Sequence, residues 1–134
     1  GEMVELDGLQ QILWPDHCVQ NTQGAELVAE LDMNQIDRII YKGTDTNIDS
    51  YSGFFNNGHR QATGLGDYLK EQNIEAVDII GLATDYCVKF TALDAVELGF
   101  TTGLILEGCR GVELNPGDCE KAIEEMKVAG VVIQ

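Results

Sequence analysis

The run Val77-Asp78-Ile79-Ile80-Gly81-Leu82, passing without a linker into Ala83-Thr84-Asp85-Tyr86-Cys87-Val88, sets the tightest limit on how this chain can fold. A short apolar run of this kind is what a parallel sheet buries on both faces. Helical spacing follows from Cys87 to Leu98, with Val88, Ala92, Ala95 and Val96 on one side and Gly99 as a natural stop. The strand-then-helix order recurs. Thr102 to Leu106 is strand-like, and Asn115-Pro116 reads as an N-cap followed by proline at the first helical position. That helix is expected to run to about Ala129, before Gly130, and Val131-Val132-Ile133 begins another strand. Upstream, the β-branched segment Ile36-Asp37-Arg38-Ile39-Ile40-Tyr41 ends in Lys42-Gly43 and reads as a strand reaching a loop. Gly64 to Gln72 carries Leu65, Tyr68 and Leu69 at helical spacing. Such βαβα order predicts an α/β fold, a parallel sheet flanked by helices with right-handed crossovers. Residues 1–35 offer no convincing strand, so the sheet is expected to hold about four strands, few for a doubly wound architecture.

At 134 residues the chain is long enough for one domain, expected to span 1–134. Lys and Arg number 8 against 23 Asp and Glu, a net charge of −15, which argues against nucleic acid and against anionic membrane surfaces as partners. No apolar run approaches the ~20 residues of a membrane span, and the first residues lack the basic and apolar regions of a secretory signal. The reading is a soluble, cytoplasmic protein. Cys18, Cys87, Cys109 and Cys119 form no C-x-x-C pair and are expected as free thiols.

Three segments carry chemistry. Cys87 falls at a strand-to-helix junction, where unsatisfied N–H groups and the helix dipole favour a thiolate and can also face a developing oxyanion. Tyr41-Lys42-Gly43-Thr44 places a lysine at another strand end, where it can act as a fixed cation near that thiolate and relay a proton. Leu13-Trp14-Pro15-Asp16-His17-Cys18 puts the only tryptophan beside a histidine, a combination suited to a flat heteroaromatic ligand with a metal or a hydrogen bond. Taken singly, each has a structural meaning that is the more common one: a small buried cysteine, a solvated lysine, a core tryptophan. His59, in Asn57-Gly58-His59-Arg60, reads as a solvated loop residue. Asp49-Ser50-Tyr51-Ser52-Gly53-Phe54-Phe55 is an aromatic loop that either closes over a pocket or packs onto the body, and Glu120, Glu124 and Glu125 read as a solvated helix face.

In this order, Trp14-Pro15-Asp16-His17-Cys18-Val19-Gln20, Lys42-Gly43, Asp49 to Phe54, Gly81 to Val88 and Gly108-Cys109-Arg110-Gly111 resemble the nicotinamidase/pyrazinamidase branch of the isochorismatase-like cysteine hydrolases. The resemblance implies a three-layer α/β/α fold and hydrolysis of nicotinamide, and of pyrazinamide, to the acid and ammonia through a cysteine thioester, in NAD salvage. It makes Cys87 the nucleophile and Lys42 its cationic partner. The N–H groups of Ala83 and Cys87 become the oxyanion hole, with a cis peptide at Leu82-Ala83, and Trp14, Tyr51 and Tyr86 lie near the substrate ring. It implies a divalent metal, zinc first and iron or manganese as alternatives, with His17 as a ligand. The family's triad aspartate, its remaining metal ligands and its first central strand belong to a segment that would precede Gly1. The chain therefore reads as N-terminally truncated relative to the family. The 134 residues alone are expected to show little amidase activity, and to oligomerise or exchange strands if they stand alone. Two other readings stay open: a superfamily hydrolase acting on another small amide or a vinyl ether, and a catalytically inactive binding module.

Overall fold

Asp7-Gly8, between Glu2-Met3-Val4-Glu5-Leu6 and Leu9-Gln10-Gln11-Ile12-Leu13, is a two-residue loop of the type that closes a tight hairpin. In the computed structural model, which describes residues 1–134, β1 (Glu2–Leu6) and β2 (Leu9–Leu13) pair antiparallel, with Glu2 opposite Leu13 and Leu6 opposite Leu9. Asp7 and Gly8 both take positive φ, 55° and 75°, as a primed turn requires. This corrects the expectation that residues 1–35 hold no strand; the Asp-Gly signal was present and outweighs the polar character of the flanking residues.

The chain divides into two compact units, Gly1–Ile39 and Ile40–Gln134. Beyond its hairpin the first unit holds two single-turn 3₁₀ segments, Gln23–Ala25 and Met33–Gln35. The Asp32 side chain caps the second by accepting from Asn34 N at 3.0 Å. The strand expected over Ile36–Tyr41 does not form. Ile36 is extended (φ −103°, ψ 114°), but the segment joins neither sheet, and β-branched composition without a ladder partner does not make a strand.

In the second unit, β3 (Ala76–Leu82), β4 (Thr101–Arg110) and β5 (Val132–Ile133) form a parallel sheet in that order. The connecting helices are α2 (Lys89–Glu97) and α3 (Asp118–Ala129), and α1 (Leu65–Glu71) precedes β3. The α/β reading with a parallel sheet therefore holds. Ala92 and Ala95 of α2 are fully buried, and Val88 nearly so. One side of this helix packs with Leu104, Cys109, Met126 and Val131, and another with Phe54 and Phe100, whose rings stack at 5.9 Å. Leu65 and Leu69 of α1 join the second group.

Val77 and Ile79 face these helices, whereas Ile80 and Leu82 on the opposite face of β3 are 62% and 71% exposed. The strand period of two sends these alternate side chains to the other face of the sheet. The last helix also starts later than Asn115-Pro116 suggested. The Asp118 carboxylate accepts from Asn115 N at 2.9 Å and from Asn115 Nδ2 at 3.3 Å. Those bonds commit Asn115 to a turn, and Gly117, at φ 91°, precedes the first helical residue. No helix is long and apolar enough to cross a membrane.

The register of β3 against β4 jumps. Ile79 lies opposite Leu104, but Gly81 lies opposite Cys109. The extra residues of β4 bulge out, Gly81 takes φ 133°, and Arg110-Gly111 are delivered to the end of β3 where the chain turns into the helix. This is the usual place for an α/β site.

Candidate active site

Cys87 sits in a π-type turn, Thr84–Val88, that runs directly into α2. Ala83 is extended (φ −103°, ψ 148°), and its carbonyl accepts from Tyr86 N at 3.1 Å and Val88 N at 3.0 Å. The second bond is the wide i→i−5 closure, a feature frequent at functional sites. The Leu82-Ala83 peptide is cis. The turn is anchored from below by Asp85, which is buried and accepts from Val112 N at 2.9 Å and Glu113 N at 2.7 Å. A β-carbon on Gly111 would fall 1.9 Å from Cys119 Sγ and 3.2 Å from Asp85 Oδ1, so the backbone after the bulge can approach this closely only as glycine.

Lys42 reaches the cysteine. Its Nζ lies 3.5 Å from Cys87 Sγ and also donates to the Ser50 carbonyl. Ser50 is buried, and the loop around it is closely braced. Tyr51 N donates to Asn57 Oδ1 at 3.2 Å, Asn57 N to Asp49 O at 2.8 Å, and Phe54 N to Ser52 Oγ at 3.0 Å. The loop presents Tyr51, whose ring meets Tyr86 edge-on at 5.5 Å and stacks on Phe90 at 5.5 Å. Burial, with the nearby Asp85 and Asp118 carboxylates adding to it, raises the Tyr86 hydroxyl above its ordinary range. The Cys119 thiol is pushed up to about 11 by burial first, then by the charges of Asp85 and Glu113 and hydrogen bonds to both. All four cysteines are free.

Sequence reasoning missed Thr91. Its hydroxyl donates to the Cys87 carbonyl at 2.6 Å and accepts from Gly53 N at 2.9 Å, joining the Tyr51 loop to the helix turn that carries Cys87. The signal was the four-residue spacing of Cys87 and Thr91, at which a helical threonine bonds back to a carbonyl. Thr91→Val keeps the shape and leaves the half-buried Gly53 N–H unpaired. It is expected to cost about 1–3 kcal/mol of stability, measurable as a lower denaturation midpoint. An unchanged midpoint would mean the loop is held by other means.

Of the residues singled out from the sequence, Lys42, Tyr51, Ala83, Tyr86 and Cys87 lie together in the second unit. Trp14 and His17 belong to the first unit, immediately after β2. The His17 ring is exposed, and its Nδ1 donates to the Pro15 carbonyl at 2.7 Å. This fixes the tautomer and leaves Nε2 with its lone pair available to a donor or a cation. That geometry fits one ligand of a metal site, though one imidazole does not make a site. His59 is an exposed loop residue, as expected, and is held as well: its Nε2 lies 2.9 Å from Asp94 Oδ1 and its ring stacks on Phe55 at 4.6 Å. Glu120, Glu124 and Glu125 are exposed, as expected.

The isochorismatase domain model matches residues 6–134. The nicotinamidase of Escherichia coli (strain K12) is 50% identical over 129 residues, covering 96% of this chain and 61% of the relative. A nicotinamidase/pyrazinamidase structure from Acinetobacter baumanii superposes with a TM-score of 0.93 at 47% identity, over 98% of this chain and 63% of that one. A pyrazinamidase from Pyrococcus horikoshii, in complex with zinc, gives a TM-score of 0.77 at 43% identity, over 91% of this chain and 63% of that one. The chain thus spans about three fifths of the length of these relatives. A cysteine at the end of a parallel strand, a lysine within reach of it and a match along almost the whole sequence agree: the chain belongs to the isochorismatase domain family.

Proposed function

We propose that this chain carries the nucleophile, its cationic partner and the ring-binding loop of a cytoplasmic nicotinamidase, an enzyme of NAD salvage that hydrolyses nicotinamide, and pyrazinamide, to the acid and ammonia. The observation that carries the reading is the 3.5 Å separation of Lys42 Nζ and Cys87 Sγ at the first turn of the helix. The nicotinamidase names of relatives at 50% identity support the choice of substrate. In this reading Cys87 Sγ attacks the carboxamide carbon and a C–S bond forms. The carbonyl oxygen, now an anion, is received by the N–H groups of Ala83 and Cys87. The thiol proton passes by way of Lys42 to the amide nitrogen, the C–N bond breaks and ammonia leaves. Water then cleaves the thioester, returning the thiol and releasing the acid. Tyr51 and Tyr86 flank the ring.

The zinc in the Pyrococcus relative and the tautomer of His17 support a divalent metal with His17 Nε2 among its ligands. Zinc suits that nitrogen best, with iron or manganese as alternatives. When bound, such an ion would supply a Lewis acid.

The aldehyde analogue of the substrate, pyridine-3-carbaldehyde, tests the reading without requiring turnover. A correctly placed thiol adds to it reversibly as a thiohemiacetal that mimics the tetrahedral intermediate. The aldehyde is expected to protect Cys87 from alkylation far better than benzaldehyde does, and not to protect Cys18. Equal protection by the two aldehydes, or none, would overturn the proposed substrate.

A further inference from the structure

Asn56 to Gln61 forms the tip of a short hairpin closed by the Phe55–Ala62 bridge. Asn56 organises it: its backbone N–H donates to Gln61 O at 3.0 Å, its side-chain Oδ1 accepts from Gln61 N at 2.8 Å, and its carbonyl accepts from His59 N at 2.9 Å. His59 stands at this tip with φ 54°, and its ring is clamped against Phe55. Facing it on α2 are Asp94 and, one turn on, Glu97. One ligand atom from each of His59, Asp94 and Glu97 lies within 4.8 Å of the others.

The pair His59–Asp94 alone does not account for this group. Asp94 is only 5% exposed, and while Oδ1 meets His59 Nε2 at 2.9 Å, Oδ2 is buried and accepts no hydrogen bond. A buried carboxylate oxygen without a donor is costly. An imidazole paired through one oxygen leaves that cost in place, whereas a cation shared by the carboxylate removes it. We propose that His59, Asp94 and Glu97 form a second divalent-cation site, for a borderline ion of the zinc type, separate from the catalytic turn. One imidazole and two carboxylates suit zinc better than calcium or magnesium, which prefer all-oxygen sets. The two carboxylates balance the ion's charge. Ligand atoms around one zinc stand at most about 4 Å apart at bonds of ~2.1 Å, and the exposed Glu97 side chain can close the remainder. On binding, the ion takes the place of the proton between His59 and Asp94. It would then staple the hairpin that follows the Tyr51 loop to the helix that follows Cys87. Asp94 lies seven residues beyond Cys87, about 10 Å along the helix axis, so the ion is outside the reacting group and acts by bracing.

This proposal is independent of the substrate assignment. It is tested by zinc titration calorimetry and thermal denaturation on the full chain carrying His17→Ala, which removes the other histidine from consideration, with and without Glu97→Gln. Glu97 is exposed, so that change leaves the fold intact, which far-UV circular dichroism verifies. The His17→Ala protein is expected to bind one equivalent of zinc through this group and to gain on the order of 5 °C or more in Tm with zinc in large excess over its Kd. Adding Glu97→Gln is expected to weaken binding at least about tenfold and to remove most of the gain. Cysteines common to both proteins cancel in the comparison. If the two proteins bind zinc alike, or the His17→Ala protein binds none, the site does not exist.

Discussion

Treated with limiting iodoacetamide at pH 7, the protein is expected to lose the Cys87 thiol first, Cys18 second, and Cys119 and Cys109 last. The order follows from four different surroundings. Lys42 Nζ stands 3.5 Å from Cys87 Sγ and offers a positive charge to the sulfur as it becomes an anion, the form that reacts. Cys18 is exposed and has no such partner among the bonds of its unit. Cys109 is buried and its thiol donates to Ile105 O at 3.4 Å. Cys119, pushed up to about 11 by burial and by Asp85 and Glu113, is thiolate at pH 7 in only ~10⁻⁴ of molecules, so it should trail the exposed Cys18. The sign with pH is fixed by the same shift. The neutral thiol predominates below about 11, so Cys119 labelling climbs roughly tenfold per unit as pH rises toward that value and levels above it. Lys42→Met should slow Cys87 alkylation about sevenfold, the water-screened limit of one charge at that distance, without touching Cys18. Peptide mass mapping over a time course reads every rate. Cys87 reacting no faster than Cys18, or indifference to Lys42→Met, would remove the nucleophile assignment.

Gly111→Ala is expected to destabilise the second unit by about 1–3 kcal/mol, a fall in Tm of roughly 4–12 °C. The new methyl would sit 1.9 Å from Cys119 Sγ, with Asp85 Oδ1 next at 3.2 Å. The cause is space rather than backbone conformation, since Gly111 is not among the glycines with positive φ. It follows that Cys119→Ala should rescue much of the loss, a coupling a double-mutant cycle detects. A Gly111→Ala protein that melts like the parent would show that the bulge yields without cost. A double variant no better than the single one would shift the cause to Asp85 and the turn it supports.

Much of this was legible in the sequence, for identifiable reasons. β3, the helix after Cys87 and α3 were readable because each has a long periodic run with a glycine or proline marking an end, and such signals are local. Ile36 to Tyr41 failed because a ladder is a property of two segments, and composition reports on one. The hairpin of β1 and β2 was overlooked although Asp7-Gly8 announced it, since its strands are too polar to register as buried. At the site, Cys87 and Lys42 could be paired only through the resemblance and an expected strand before Lys42 that does not form, because 45 residues separate them. Thr91, Asp85, Gly111 and Cys119 act through contacts across the bulge or the loop. The bulge itself, a jump in register from Leu104 to Cys109, leaves no mark in either strand's pattern.

The bonds around Cys87 close on themselves. From Lys42 the path runs to the Ser50 carbonyl, along the backbone to Gly53, through the Thr91 hydroxyl to the Cys87 carbonyl, and from its sulfur back to Lys42. A ring of this kind has no free end at which slack can collect, so a substitution at any link is shared by all of them. The practical consequence is that a substitution in the loop, at Ser50 or Gly53, is felt at the sulfur through the same closed circuit as one in the helix.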